Sequence, residues 1–186
     1  MKLVAVLGSS RPDAVSTKIA ECVMKSAEEA GCEVVVFHAN DMNMKGCRGC
    51  NACRKNGTDC VMKDDMQQYF RELHTCDALL LTAPNYCSQV AGPMITFMNR
   101  HYCMSKPDHT SRLEPGKKLI GIFSQGAPEG IDRYEANYDW YLSIFERHME
   151  LTGKIVAGGN SDLSENGSIM TKARQLGRRI AEEEVL

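Results

Sequence analysis

The stretch MKLVAVLGSSRPDAVSTKIAECVMKSAEEAGCEVVVFH, residues 1–38, decides how the rest of the chain is read. Lys2 to Leu7 is a short apolar run rich in valine and leucine, the composition of a buried strand. It runs directly into Gly8, Ser9, Ser10, Arg11 and Pro12. From Ser16 the apolar spacing becomes helical, with Ile19, Ala20, Val23 and Ala27 on one face and Gly31 as the stop. Glu33 to Phe37 is a second short valine-rich strand. Strand, helix and strand make a βαβ unit with a hydroxyl-rich turn at the carboxyl end of the first strand.

The pattern repeats outward from that unit. Asp64 is placed to cap a helix over about Asp65 to Thr75, with Met66, Tyr69, Phe70 and Leu73 sharing a face. Ala78 to Ala83 is a third strand, apolar throughout, and Pro84, Asn85 and Tyr86 are expected to break it. A helix follows from near Pro93 to about Arg100, with Met94, Phe97 and Met98 inward. Leu119 to Ser124 is a fourth strand, ending in Gln125-Gly126-Ala127-Pro128. A long helix is expected over Ile131 to Leu151, carrying Trp140, Tyr141, Ile144 and Phe145 and closed by Gly153. Lys154 to Ala157 is a fifth strand and Ile169 to Glu183 a closing helix. Such alternation implies an α/β, doubly wound, five-stranded parallel sheet with helices on both faces. Ligands of these sheets bind beyond the carboxyl ends of the strands. Three loops there look specialised: Gly8–Thr17, Pro84–Gly92 and Ser124–Gly130.

With 186 residues the chain suits a single domain, residues 1–186, able to bury about 70% of its unfolded surface without staples. A formal charge of −2 gives no electrostatic case for nucleic acid or an anionic membrane. No apolar run approaches the ~20 residues that span a bilayer. The apolar start is too short for a signal peptide, so the nine cysteines read as reduced thiols or metal ligands in a cytoplasmic protein.

Four of those cysteines lie in one loop at about residues 45–63. Gly46 to Met66 reads GCRGCNACRKNGTDCVMKDDM and sets Cys47, Cys50, Cys53 and Cys60 in a C-x2-C-x2-C-x6-C array. Thiolates at this density select zinc or iron–sulfur centres. Zinc sites gather two separated pairs, whereas three cysteines at two-residue gaps follow the rhythm of cluster loops. The last gap is six residues rather than three, and Val61 stands where those loops carry proline. A cluster leads this reading, with zinc and unmetallated or disulfide-forming thiols as the alternatives. Cys22, Cys32, Cys76 and Cys103 fall in or beside apolar elements and read as small buried hydrophobes, as does Cys87. His101 and His109 acquire no role, the methionines at helical spacing read as core filling, and Arg178-Arg179 reads as a solvated helix face.

The first loop offers Ser9, Ser10, Arg11, Ser16 and Thr17 just before a helix, where backbone amides and hydroxyls attract a phosphate. An ordinary serine-rich turn is the plain alternative. There is no GxGxxG, no GxxxxGK[ST], no cysteine followed six positions later by arginine and no GxSxG. Dinucleotide fingerprint, nucleotide-hydrolysing P-loop, cysteine phosphatase and serine hydrolase are thereby set aside. Tyr86 offers a flat face for stacking beside the Pro84 turn.

GSSRPDAVSTKIA after the first strand and TAPNYCSQVAGPMITFMNR after the start of the third resemble the NADPH-dependent FMN reductase branch of the flavodoxin-like superfamily. With the cysteine array, the chain resembles more specifically the iron–sulfur flavoproteins of that branch. The resemblance implies strand order 2-1-3-4-5 and bound FMN. It implies that Ser9, Ser10, Arg11, Ser16 and Thr17 surround the phosphate. Pro84, Asn85, Tyr86 and Ser88 would line the isoalloxazine, with Ser124 and Gly126 on its other flank. The family often has Gly-Asn where Val15-Ser16 stand here, and Asp-Arg where Asn99-Arg100 stand. The implied activity is that of an FMN-dependent oxidoreductase or electron-transfer flavoprotein. It would move electrons between NAD(P)H or a ferredoxin-like donor and an acceptor through FMN and a 4Fe–4S cluster. The alternatives are an electron carrier with no nicotinamide substrate, or an FMN reductase whose cysteine loop binds zinc or no metal. No side chain is assigned as catalytic, and a homodimer or homotetramer is expected, with the cysteine loop near a subunit interface.

Overall fold

The valine- and leucine-rich runs pair as parallel strands because each is apolar on both faces and must be covered twice. The computed structural model describes residues 1–182. In chain order its elements begin with β1 (Lys2–Leu7), α1 (Val15–Glu29), β2 (Glu33–His38), a one-turn helix α2 (Ala52–Asn56) and α3 (Met66–Thr75). β3 (Ala78–Tyr86), β4 (Gln89–Val90) and α4 (Gly92–Asn99) follow, then a 3₁₀ turn, Arg100–Met104. The chain ends with β5 (Lys118–Ser124), α5 (Asp132–Phe145), β6 (Glu150–Ala157) and α6 (Ser168–Ala181). The sheet order is β2-β1-β3-β5-β6, with β4 attached to the end of β3. Among the five parallel strands this is the expected order 2-1-3-4-5, the flavodoxin-like arrangement.

Side chains alternate between two cores. Leu3, Ala5, Ala78, Leu80 and Ile122 point toward α1 and α6, where Ile19, Val23, Leu176 and Ile180 complete one apolar layer. Val4, Val6, Leu79, Leu81 and Phe123 point to the other layer, filled by Tyr69, Phe70, Met94, Phe97 and Tyr141 from α3, α4 and α5. Met66, Met94, Met98 and Met104 are buried, as core filling requires, and Arg178 and Arg179 are exposed.

Four boundaries differ from the sequence reading. Pro84, Asn85 and Tyr86 do not break β3. The strand continues through them and folds back on β4, with Asn85 opposite Val90 and Tyr86 opposite Gln89. Cys87 and Ser88 make this two-residue turn with φ of 52° and 64°, the left-handed pair that matches strand twist. Cys87 is therefore exposed at the turn rather than buried. α5 stops at Phe145 rather than Leu151, and the segment from Glu150 is already β6. Gly153 lies inside that strand, where the pairing jumps from Leu119–Leu151 to Ile120–Gly153 and leaves Thr152 as the extra residue. A Cβ at Gly153 would sit 2.4 Å from Leu176 Cδ2, so glycine here lets α6 close on the strand. The cysteine loop also contains the short α2, which the sequence did not suggest. The expected helix end at Glu183 lies outside the described residues.

His101, given no role from sequence, is a core residue. It is 5% exposed, ringed by Tyr69, Phe70, Phe97 and Phe145. Its Nδ1 lies 2.9 Å from the Phe97 carbonyl, which can only accept, so Nδ1 carries the proton and Nε2 accepts from the Tyr69 hydroxyl at 2.8 Å. Burial lowers its pKa to about 3, against a smaller upward pull from the Phe97 carbonyl. The unfolded chain then takes up a proton near pH 6.5 that the native state refuses, so stability is full above pH 6.5 and falls as pH drops toward 3. The slope from this group is about 1.4 kcal/mol per pH unit. Urea midpoints measured between pH 7 and 4.5 should fall more steeply for the wild type than for His101→Gln.

Candidate functional site

The three loops singled out in the sequence leave the carboxyl ends of β1, β3 and β5, which are neighbours in the sheet. Their first residues are knitted together. The Gly8 N–H donates to Thr82 Oγ1 at 3.1 Å, and Asn40 Nδ2 donates to the Gly8 carbonyl at 3.1 Å. A Cβ on Gly8 would lie 2.3 Å from the Thr82 carbonyl oxygen and 2.4 Å from Met94 Cγ, so no other residue fits where β1 turns out of the sheet. Pro84 is opposite Ser124 in the β3–β5 register. Beyond that pair, Asn85 Nδ2 donates to the Tyr138 hydroxyl at 2.9 Å, and Tyr138 donates to Gln125 Oε1 at 2.8 Å. Tyr138 is held by stacking on Phe123, with ring centroids 4.3 Å apart and planes 9° from parallel. Asn137 Nδ2 donates to the Ser88 carbonyl at 2.6 Å, so α5 steadies the β3–β4 turn as well.

The first loop ends at a helix with its donors free. α1 starts after Ala14, which has no side chain to cap it. Among the described residues, no hydrogen bond engages the N–H groups of Val15, Ser16 or Thr17. Ser9, Ser16 and Thr17 are buried while Ser10 and Arg11 are exposed, and Ser9 Oγ accepts the Arg11 N–H at 3.1 Å. Ser16 is fully buried and its Oγ has no partner. A buried hydroxyl without a partner is costly, and at an uncapped helix N-terminus it suits an anion that supplies the missing acceptor. Tyr86 is 45% exposed at the end of β3, and Gly126 is exposed two residues after buried Ser124.

The cysteine loop leaves β2 and returns at α3. Its far half is anchored. Gln67 Nε2 donates to the Cys60 and Met62 carbonyls at 2.5 and 2.9 Å, and Asp59 Oδ1 receives His74 Nε2 at 2.9 Å and Arg112 at 3.1 Å. Asn51 and Gly57, both left-handed, bound α2, which carries Cys53 into the core. Cys47 and Cys50 stand exposed on the near half. Burial raises the Cys53 pKa, and Cys60, Cys47 and Cys50 add smaller contributions, so each of the three lies within electrostatic reach of Cys53. Among the described residues no three ligand-type side chains already stand at metal spacing. Four free thiols of soft donor character, and buried Nε atoms of Arg54 and Arg100 without partners, nevertheless suit an anionic thiolate-bound group. Cys103 differs from them. It is buried, donates to the Arg100 carbonyl at 3.3 Å, and burial pushes its pKa up to about 12. Cys32 and Cys76 are likewise buried thiols, and Cys22 is half-buried.

The model of the family described as NADPH-dependent FMN reductase matches residues 1–138. The chain belongs to that family. An iron-sulfur flavoprotein of Archaeoglobus fulgidus is 30% identical over 98% of this chain and 80% of its own. Among solved structures, an NAD(P)H:quinone oxidoreductase from Methanothermobacter marburgensis superposes with a TM-score of 0.74 at 14% identity, covering 98% of each chain. A flavodoxin from the domain Archaea superposes at 0.57 with 16% identity, covering 97% of this chain and 96% of that one. The fold is flavodoxin-like and the protein is an FMN-dependent flavoprotein of the FMN reductase and iron–sulfur flavoprotein family. Among the described residues no helix is long and apolar enough to cross a membrane.

Within this family fold, Ser16 and Thr17 lie in the first turn of α1 with buried Ser9 on the loop that leads to it, and Pro84, Asn85 and Ser124 lie at the ends of adjacent strands. Asn40, Gln125 and Tyr138, which fix those loops, were not singled out for the site from sequence. Asn40 follows the second strand directly, a placement that could have drawn notice. The Tyr138–Gln125 contact joins a helix to a strand end and leaves no local signal. Tyr138→Phe removes a hydroxyl on which Asn85 and buried Gln125 both depend. Urea denaturation should show a loss of about 1–3 kcal/mol.

Proposed function

We propose that this protein is an FMN-dependent oxidoreductase moving electrons between NAD(P)H or a ferredoxin-like donor and an acceptor. In this reading Cys47, Cys50, Cys53 and Cys60 hold a 4Fe–4S cluster. The observation that carries the flavin half is the fully buried, unpartnered Ser16 hydroxyl at the uncapped start of α1. The cysteine array, together with 30% identity to a protein named iron-sulfur flavoprotein, supports the cluster half.

Bound FMN supplies a carrier able to take electrons in pairs and release them singly, and a cluster supplies a one-electron store. The residues of the chain bind and orient. Ser9, Ser10, Ser16, Thr17 and the first-turn N–H groups of α1 receive the phosphate, with Arg11 adding charge at the exposed edge. Asn85 gives its amide N–H to Tyr138, which leaves its Oδ1 free to accept from the edge of a ring. Pro84, Ser88, Ser124 and Gly126 frame that edge, and Tyr86 offers its face for stacking. No side chain is asked to move a proton in the chemical step. Self-association as a homodimer or homotetramer belongs to the same reading. It is supported by exposed Tyr102 and Trp140, which with Met98 and Ile144 line a cavity of about 410 Å³ beside Arg54 of the cysteine loop.

Anaerobic reconstitution with iron and sulfide, followed by metal analysis and a visible spectrum, tests both halves. The expected product holds FMN and about four iron atoms per chain. A zinc-loaded or metal-free product that still binds FMN would refute the cluster alone. Steady-state oxidation of NADH and NADPH then tests the donor, and failure of both to reduce the flavin leaves only protein donors. For the phosphate contact, Ser16→Ala should weaken FMN binding about tenfold by titration, a loss of about 1.4 kcal/mol. The same change should leave the FMN-free protein as stable as the wild type or more so, because it deletes a buried unpaired hydroxyl.

A further inference from the structure

Arg100 is the largest fully buried side chain of the protein's described residues, 1% exposed, at the junction of α4 and the 3₁₀ turn. An arginine at such a depth needs partners for all its donors. Both terminal nitrogens have them. Nη1 donates to the Lys45 carbonyl at 2.8 Å and to Asp64 Oδ2 at 2.5 Å, and Nη2 donates to Asp64 Oδ1 at 3.0 Å. Asp64 in turn accepts the Lys45 N–H at 3.4 Å and the Met66 N–H at 3.3 Å. Lys45 stands two residues before Cys47, and Asp64 four residues after Cys60. The Arg100–Asp64 pair therefore clamps the two ends of the cysteine loop together from inside the protein.

Three of the five N–H groups of the guanidinium are thereby engaged, leaving the second N–H of Nη2 and the Nε–H. Arg100 Nε is buried and has no hydrogen-bond partner. The acidic neighbours of the guanidinium are Asp64, already bonded to both terminal nitrogens, and the thiol of Cys60. Gln67 holds the Cys60 carbonyl, so the backbone position of Cys60 is fixed against this charge.

We infer that Arg100 is a positioning residue for the cysteine loop, and that its free Nε–H is reserved for the sulfur of Cys60 when that sulfur is an anionic ligand of the cluster. The asymmetry this creates is specific. Cys60 is placed against the buried Arg100 cation with its unpartnered Nε, while Cys47 and Cys50 face solvent. A hydrogen bond and a positive charge at a ligand sulfur favour the form with more electrons, so Arg100 raises the reduction potential. The inference rests on the cluster reading above.

The test uses the full chain reconstituted anaerobically with iron, sulfide and FMN, as wild type, as Arg100→Lys, and as the double variant Asp64→Asn/Arg100→Gln. FMN stoichiometry reports folding, and the double variant removes the buried charge pair as a unit if the single one fails to fold. Three quantities are read: iron per chain, the cluster midpoint potential by redox titration, and the rate of iron loss to a chelator. Arg100→Lys keeps the charge and loses the Nε donor. It should shift the one-electron equilibrium about tenfold toward the oxidised form, about 59 mV in potential, and speed iron loss by a similar factor. The double variant also loses the Nε donor and should shift the potential in the same direction. A purely structural clamp would lower iron content without moving the potential of the clusters that remain. An unchanged potential in variants that hold iron overturns the inference while sparing the cluster reading. A wild type that takes up no iron overturns both.

Discussion

The close passage at Gly8 is the constraint on which the rim of the sheet depends. β1 leaves the sheet between the Thr82 carbonyl of β3 and Met94 of α4, with room for a hydrogen atom and not for a methyl group. The same residue is bonded on either side, by its N–H to Thr82 and by its carbonyl to Asn40. This fixes the height at which the loop to α1 departs and so the position of the uncapped helix start. A parallel sheet gives every strand the same polarity, so the loops after β1, β3 and β5 all emerge on that rim. The chain needs no large rearrangement to form a binding surface there, because strand pairing has already collected its parts.

The second organising contact is ionic. A long loop carrying four cysteines has few apolar side chains to hold it, and α2 contributes only Cys53 to the core. Its closure falls to Arg100 and Asp64, whose side chains are 0% and 7% exposed. Such a pair is costly to bury and adds little net stability over apolar residues, but its geometry is specific. Here it sets where the loop begins and ends relative to α3 and α4, and leaves the central residues on the surface. The flavin rim is thus ordered by backbone pairing, and the cysteine loop by a buried charge.

Much of the architecture was legible in the sequence because the strands are apolar on both faces and the helices on one. Val4 and Leu79 fall in one core and Leu3 and Leu80 in the other, as period-two alternation requires. The errors lie where local signals contradict tertiary pairing. Pro84 suggested a strand end, yet its missing N–H is tolerated in β3 and the strand runs on to Tyr86. The helical-looking stretch to Leu151 was cut short because β5 offered Glu150 to Ala157 an open edge. Gly153, read as a helix stop, serves instead as the close contact for Leu176.

The sequence by itself determined the flavodoxin-like sheet, the three rim loops, the family and the cysteine array, since each is written in contiguous residues or in their periodicity. Only the tertiary structure decided which polar groups are satisfied. The Ser16 hydroxyl lacks a partner because the surrounding residues bury it without offering one, and the first-turn N–H groups are free because Ala14 cannot cap them. Asn85 is oriented because Tyr138 reaches it from a helix 53 residues away in the chain. Arg100 Nε lacks a partner because Asp64 and Lys45, distant in sequence, engage the two terminal nitrogens instead. Burial and hydrogen-bond accounting depend on which segments meet in space, and periodicity carries no record of that.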